Sequence, residues 1–215
     1  MTSRQQQLLK YIIQNYIKTA QPIASNLLAG KFKNNISSAT IRNEMVELEG
    51  AGYIFQPHTS AGRIPTEKAY QFFVDNFLDK NKHFQIKEYK SKGRIKIKEV
   101  AKEIARISGL AVLIAFDKND TYYTGLSNLF SQPEFERQAE IVTVSELIDK
   151  FDDVLKLIYK NSYKTPEIHI GKKGYFGENC SFVVVKKNNY LIGILGPLRM
   201  DYDKNLSLLN QLNNL

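Results

Sequence analysis

Apolar positions recur with helical spacing through the first 78 residues. Leu8, Leu9, Ile12, Ile13, Tyr16 and Ile17 form one stripe, the pattern of an amphipathic helix. Thr2 or Ser3 can cap it, with Gln5 or Gln6 three residues on to complete a capping box. Pro22 follows, and a short second helix is expected from Ile23 to Ala29 with Gly30 near its end. Ser37 or Ser38 opens a third, which turns Ile41, Met45 and Leu48 inward and stops at Gly50-Ala51-Gly52. Tyr53-Ile54-Phe55 and Ile64-Pro65 then flank the polar stretch Pro57 to Arg63, a hairpin with a long tip. Thr66 caps a further helix carrying Tyr70, Phe73, Val74, Phe77 and Leu78. Three helices and then a hairpin is the element order of a winged helix-turn-helix.

The second half mixes the two periods. Ile97, Ala101, Ile104 and Ile107 predict a helix ended by Gly109, and Leu110 to Phe116 reads as a buried strand. Ser145 opens a helix with Leu147, Ile148, Phe151, Val154, Leu155, Ile158 and Tyr159 on one side. Ile168–Ile170, Phe182–Val185 and Leu191–Leu195 read as strands, the last two joined by a turn at Lys187-Asn188-Asn189. Leu206, Leu209 and Leu212 lie on a short last helix. Without strict βαβ alternation, an α+β domain is favoured over a doubly wound sheet.

Of 215 residues, 43% are hydrophobic and 24% charged, a globular balance that excludes wholesale disorder. The one cysteine, Cys180, excludes a disulfide framework and a structural Cys-based zinc site within one chain. The longest apolar run, Leu110 to Phe116, is far shorter than the ~20 residues of a spanning helix. Met1 to Gln7 offers no apolar signal region. A soluble, cytoplasmic protein is expected, with no membrane partner.

Charge is unevenly placed. The formal net charge is +8, divided as +2 over residues 1–79, +7 over 80–106 and −1 over 107–215. The basic stretch includes Lys80, Lys82, Lys87, Lys90, Lys92, Arg94, Lys96, Lys98, Lys102 and Arg106. Such a run attracts polyanions, DNA phosphates foremost; the alternative is a solvated linker. Phe84 and Tyr89 are its only aromatics, too few for a single-strand stacking platform.

With Ile41, Met45 and Leu48 inward, Ala39, Asn43, Val46 and Gly50 point outward, flanked by Thr40, Arg42 and Glu47. Small and hydrogen-bonding side chains in the first turns suit a helix lying in a major groove, where Arg pairs with guanine and Asn with adenine. Ser37 and Ser38, at the helix N-terminus, suit a phosphate. The competing reading is that Ser37 only caps and Arg42 pairs with Glu44 or Glu49. On the hairpin, His58, Thr59, Ser60 and Arg63 place donors on a flexible loop, and Ala61-Gly62 permits close approach to a phosphate or minor groove. An ordinary hydrophilic tip is the alternative there.

The strings Ser37-Ser38-Ala39-Thr40-Ile41-Arg42-Asn43-Glu44-Met45 and Gln56-Pro57-His58-Thr59-Ser60-Ala61-Gly62-Arg63-Ile64-Pro65-Thr66 resemble the HrcA family of heat-inducible transcription repressors. Gly125 to Phe135 and Gly196 to Tyr202 agree with it, so the resemblance spans about the whole chain. It implies an N-terminal winged helix-turn-helix and a C-terminal GAF-like domain. With the charge and element pattern above, an α+β chain in three parts is expected: a winged helix-turn-helix over 1–79, a basic connector and helix over 80–106, and a reduced GAF-like domain for regulation and dimerisation over 107–215. The resemblance further implies a homodimer on an inverted-repeat operator of chaperone genes, repression lifted by heat, and a GroEL-type chaperonin that keeps the repressor active. The DNA-contact residues carried over are Ser37, Ser38, Thr40, Arg42, Asn43, His58, Thr59, Ser60 and Arg63. Familiar members are longer. Here Asp117-Lys118-Asn119-Asp120 runs almost directly into the Tyr122 to Phe135 string, so a reduced regulatory domain is expected, its hydrophobic surface still mediating pairing.

No cofactor, metal or catalytic role is expected. His58, His83 and His169 are scattered, and Cys180 with His169 and Asp201 has no meaningful spacing as a nucleophile set. Gly171 to Gly177 lacks the GxxxxGK[ST] order and reads as a loop. Two other classes stay open: a ligand-sensing winged-helix regulator and a non-specific DNA-binding protein.

Overall fold

Thr2 closes the first helix as a reciprocal box: its hydroxyl accepts from the Gln5 amide at 3.2 Å while the Gln5 side chain accepts from the Thr2 amide at 2.8 Å. That helix, α1, spans Ser3–Thr19. The computed structural model describes residues 1–32, 36–79, 84, 86–87, 89–135, 151–161, 163–187 and 189–214. It divides into two units, Met1–Leu78 and Asp79–Leu215.

In the first unit, α2 (Ser25–Ala29), α3 (Ser38–Gly50), β1 (Ile54–Phe55), β2 (Ile64–Pro65) and α4 (Glu67–Phe77) follow α1. The second helix starts two residues later than its apolar pattern suggests. Ile23 is extended instead, because its backbone exchanges two hydrogen bonds, both 2.9 Å, with Arg63. Ser37 and Thr66 cap α3 and α4 through their side chains. Leu8, Leu9, Ile12 and Ile13 of α1, Leu28, Ile41, Leu48, Tyr70 and Phe73 meet in one core. The helices and the β1–β2 hairpin form the winged helix-turn-helix that the sequence pattern predicts, with β1 and β2 antiparallel.

The second unit is built on a five-stranded antiparallel sheet in the order β4-β3-β7-β6-β5. Its strands are β3 (Ala111–Asp117), β4 (Asp120–Thr124), β5 (Glu167–Ile170), β6 (Cys180–Lys187) and β7 (Tyr190–Pro197). Helix α5 (Gly93–Ser108) packs on β3 and β4, and α8 (Tyr202–Asn210) on β6 and β7. Ala111, Leu113, Ala115, Phe182 and Val184 turn to the opposite face, where Leu129 of α6 (Leu126–Phe130) packs. Phe151, Leu155 and Ile158 join it from residues 151–159, which are helical (α7). The earlier part of the helix expected from Ser145 lies outside the described residues. This mixed α+β sandwich agrees with a GAF-like fold.

Strand β4 is absent from the sequence reading. Asp120-Thr121-Tyr122-Tyr123-Thr124 keeps a sheet edge and buries none of its residues fully, so it carries little hydrophobic signal. Its turn is held by the Asp117 carboxylate, which accepts from the Asn119 amide at 2.8 Å.

The two C-terminal motif strings meet in space. Asn128 donates to the carbonyl of Ala105 at 3.1 Å, and Gln132 to those of Gly109 and Asn128 at 3.1 and 3.0 Å. Arg199 in turn donates to the Gln132 side chain at 2.8 Å and pairs with Glu134. This network ties the end of α5 to the segment after β7. Buried carbonyls left without such donors are costly, so these strings serve the fold.

Candidate DNA-binding surface

Helix α3 starts where the Ser37 hydroxyl accepts from the Thr40 amide at 3.1 Å, and it also bonds the Thr40 hydroxyl at 2.9 Å. The Ser38 hydroxyl lies 3.1 Å from that of Ser25, tying the first turns of α2 and α3 together. The inner face of α3 buries Ile41, Glu44, Met45 and Leu48, while Ala39, Arg42, Asn43 and Val46 stay exposed.

Both glutamates that could have neutralised Arg42 are taken by other arginines. Arg4 pairs with Glu44, whose side chain is only 8% exposed. Arg63 pairs with Glu49 at 2.8 Å. Among the described residues no hydrogen-bond or ion-pair partner of Arg42 is found. Arg42 borders a cleft of about 380 Å³ between α3 and the wing, lined also by Ser25, Met45, Gln56, Thr59, Ser60, Gly62 and Arg63. An exposed cation beside a polar cleft is suited to a polyanion.

The wing loop is bridged by hydrogen bonds of its own. The Gln56 side chain donates to the carbonyls of Thr59 and Ala61 at 2.8 and 2.9 Å, and the Ala61 amide donates to the His58 carbonyl at 2.8 Å. His58, Thr59 and Ser60 are thereby held exposed. Gly62 has a role within the fold itself. A Cβ there would lie 2.5 Å from the Ile23 carbonyl carbon, so its missing side chain lets the wing backbone pack on Ile23. Arg63 is largely covered, with a side chain 15% exposed.

Of the expected contact residues, Ser37, Thr40, Arg42, Asn43, His58, Thr59 and Ser60 lie on α3 or the wing tip with no burial that would remove them. Ser38 and Arg63 are engaged in joining elements. Gln56 and Glu49 organise this surface yet escape a reading by residue type. Glu49 and Arg63 are 14 positions apart, and only folding shows them opposed.

The basic stretch is partly neutralised. Arg94 pairs with Asp117 and Asp120 and lies over the Phe116 ring at 4.9 Å. Lys98 sits over Tyr122 at 4.9 Å, and Arg106 grips Glu103 at 2.8 Å. Lys80 and Lys82 lie outside the described residues, as does His83.

The residues weighed as a nucleophile set have other employment. Burial pushes the Cys180 thiol up to about 12, so it stays protonated and unreactive at neutral pH. Asp201 caps α8, accepting from the Lys204 amide at 3.0 Å. His169 packs its ring against Tyr175 and Tyr163, with centroids at 4.9 and 5.8 Å. Burial lowers its pKa against the opposing pull of Glu167, 3.8 Å away. A histidine with a depressed folded pKa costs stability as the pH drops below its unfolded value of about 6.5, where the unfolded chain takes up more protons. The loss levels off once the folded value is passed. Thermal unfolding between pH 7 and 5 should therefore show a steeper fall in Tm for the native chain than for His169→Asn; parallel curves would contradict it.

A family model described as "Winged helix-turn-helix transcription repressor, HrcA DNA-binding" matches residues 1–77, and "HrcA protein C terminal domain" matches 66–206. The chain belongs to the HrcA family. It is similar to the heat-inducible transcription repressor HrcA of Desulforamulus reducens, 38% identical over 65% of this chain and 38% of that protein. It is also similar to the HrcA of Acetivibrio thermocellus, 42% identical over 50% of this chain and 31% of that one. The N-terminal part is 55% identical to the HrcA of Natranaerobius thermophilus over 35% of this chain and 22% of the relative. The matches thus span well under half the length of these HrcA relatives. A crystal structure of a hypothetical protein shares the fold at a TM-score of 0.82 and 19% identity, covering 100% of this chain and 97% of that one. Among the described residues, no helix is long and apolar enough to cross a membrane.

Proposed function

We propose that this HrcA-family chain is a heat-inducible transcription repressor that acts in the cytoplasm as a homodimer on an inverted-repeat operator of chaperone genes. One observation carries the reading: Arg42 stands on the outward face of α3, beside the wing cleft, while its two candidate acidic partners are bound elsewhere. An arginine placed there is available to base edges, and Asn43 beside it supplies a second groove donor. Thr40 joins them, and Ser37, Ser38, His58, Thr59, Ser60 and Arg63 serve the flanking backbone, directly or by holding their neighbours.

Functionally, residues 1–79 read DNA, 80–106 add basic charge, and 107–215 form the reduced GAF-like domain for regulation and pairing. Pairing sets two recognition helices about 34 Å apart, which an inverted repeat requires. Heat removes the folded, dimer-competent form, and a GroEL-type chaperonin restores it. A few kcal/mol is enough for such a switch, because ~1–2 kcal/mol already changes a folded ratio several-fold. No catalysis, cofactor or metal enters this scheme.

Footprinting of the purified chain on the promoters of its own chaperone genes, at two temperatures and with and without chaperonin, tests the reading. A protected inverted repeat that fades on heating is expected. Even protection along the fragment would mean electrostatic binding alone.

A further inference from the structure

We infer that Glu49 is a positioning residue for DNA readout, locking the wing to the recognition helix through Arg63 and the start of the loop. The inference rests on the DNA-binding reading above and adds a residue to it that touches no DNA itself.

Glu49 is on the last turn of α3. One carboxylate oxygen accepts from the backbone amide of Gln56 at 2.9 Å, where the chain leaves β1 for the loop. The other accepts from Arg63 Nε at 2.8 Å, where the chain returns. A single side chain therefore holds both stems of the wing. Between these anchors Gln56 clamps the loop from inside, and Arg63 is stitched by its backbone to Ile23. The wing tip is thus fixed relative to α3 by charge-assisted bonds. Arg63 engages Glu49 through Nε.

Charge makes this role testable by sign. A carboxylate near a polyanion repels it, so a Glu49 that acted only through charge would weaken DNA binding, and removing that charge would strengthen it. A positioning role gives the opposite result. Glu49→Gln keeps an acceptor for the Gln56 amide but loses the ion pair with Arg63, and Glu49→Ala loses both.

The experiment measures binding of the full chain and both variants to two probes across a salt series. One probe is a duplex enriched by the native chain from a random-sequence pool, the other an unselected duplex of equal length. Operator-like affinity should fall several-fold for Glu49→Gln and about tenfold or more for Glu49→Ala, with affinity for unselected duplex unchanged or raised. The salt slope on the enriched duplex should drop by about one to two as wing phosphate contacts are lost. Hydroxyl-radical protection should weaken at the wing positions and persist over the groove bound by α3. Thermal unfolding of each variant is read in parallel, and Arg63→Ala should reproduce the Glu49→Gln pattern without further loss in the double variant. Equal or tighter binding of Glu49→Gln to the enriched duplex, or a uniform loss on both probes, overturns the inference. If the native chain enriches no sequence at all, it is the repressor reading that fails.

Discussion

Replacing Gly62 by valine is expected to unseat the wing and to cost both stability and DNA recognition. The added Cβ would stand 2.5 Å from the carbonyl carbon and 2.7 Å from the amide nitrogen of Ile23. These are backbone atoms, which cannot swing away as a side-chain tip can. Relief must come from separating Ile23 and Arg63, and that breaks their two 2.9 Å hydrogen bonds. Overpacking of this kind costs about 1–3 kcal/mol, and each lost hydrogen bond adds about 1 kcal/mol. For a unit of this size each kcal/mol lowers Tm by about 4–8 °C. The displaced loop also moves Thr59 and Ser60 away from α3, so affinity for an operator should fall by at least about tenfold. Differential scanning calorimetry and a binding titration check the two parts. A Gly62→Val chain with native Tm and native affinity would show that the seam between the wing and Ile23 does not form.

Arg42→Ala should separate the two measurements. With no intramolecular partner among the described residues, the exposed guanidinium contributes nothing specific to the fold, and Tm should move by no more than about 0.5 kcal/mol of stability implies. Loss of a bidentate contact to a base is worth ~1–3 kcal/mol, so operator affinity should fall about five- to 150-fold while random-duplex affinity falls far less. Equal losses on both duplexes would make Arg42 a phosphate contact. A drop in Tm as large as that of Gly62→Val would instead assign Arg42 to the fold. Together the two substitutions separate a residue that reads from one that shapes the reader.

Much of this surface was legible in the chain. Ile41, Met45 and Leu48 at helical spacing orient α3, and this orientation leaves Arg42, Asn43 and Val46 outward as found. Ser37 and Thr66 mark their helix starts because a hydroxyl acceptor is needed where amides lack partners. The failures have physical causes too. Strand β4 has no buried stripe to reveal it. Ile23 looks helical by its neighbours, yet a backbone bridge to Arg63, 40 positions later, draws it into extended geometry. The polar loop around Gly62 gives no sign that a Cβ there would meet the protein's own main chain at Ile23.

Periodicity, capping residues and turn chemistry are local, acting over three or four positions, and so the sequence by itself determined the long amphipathic helices of the first unit, the hairpin and the outward face of α3. The choice of partner among like residues is not local. Helix geometry already turns Glu44 away from Arg42, but only the packed backbone assigned Glu44 to Arg4 and Glu49 to Arg63. Tertiary structure alone decided which arginine braces the wing and which one has no partner among the described residues, because an ion pair forms only where folding brings the two charges within a few ångströms of each other.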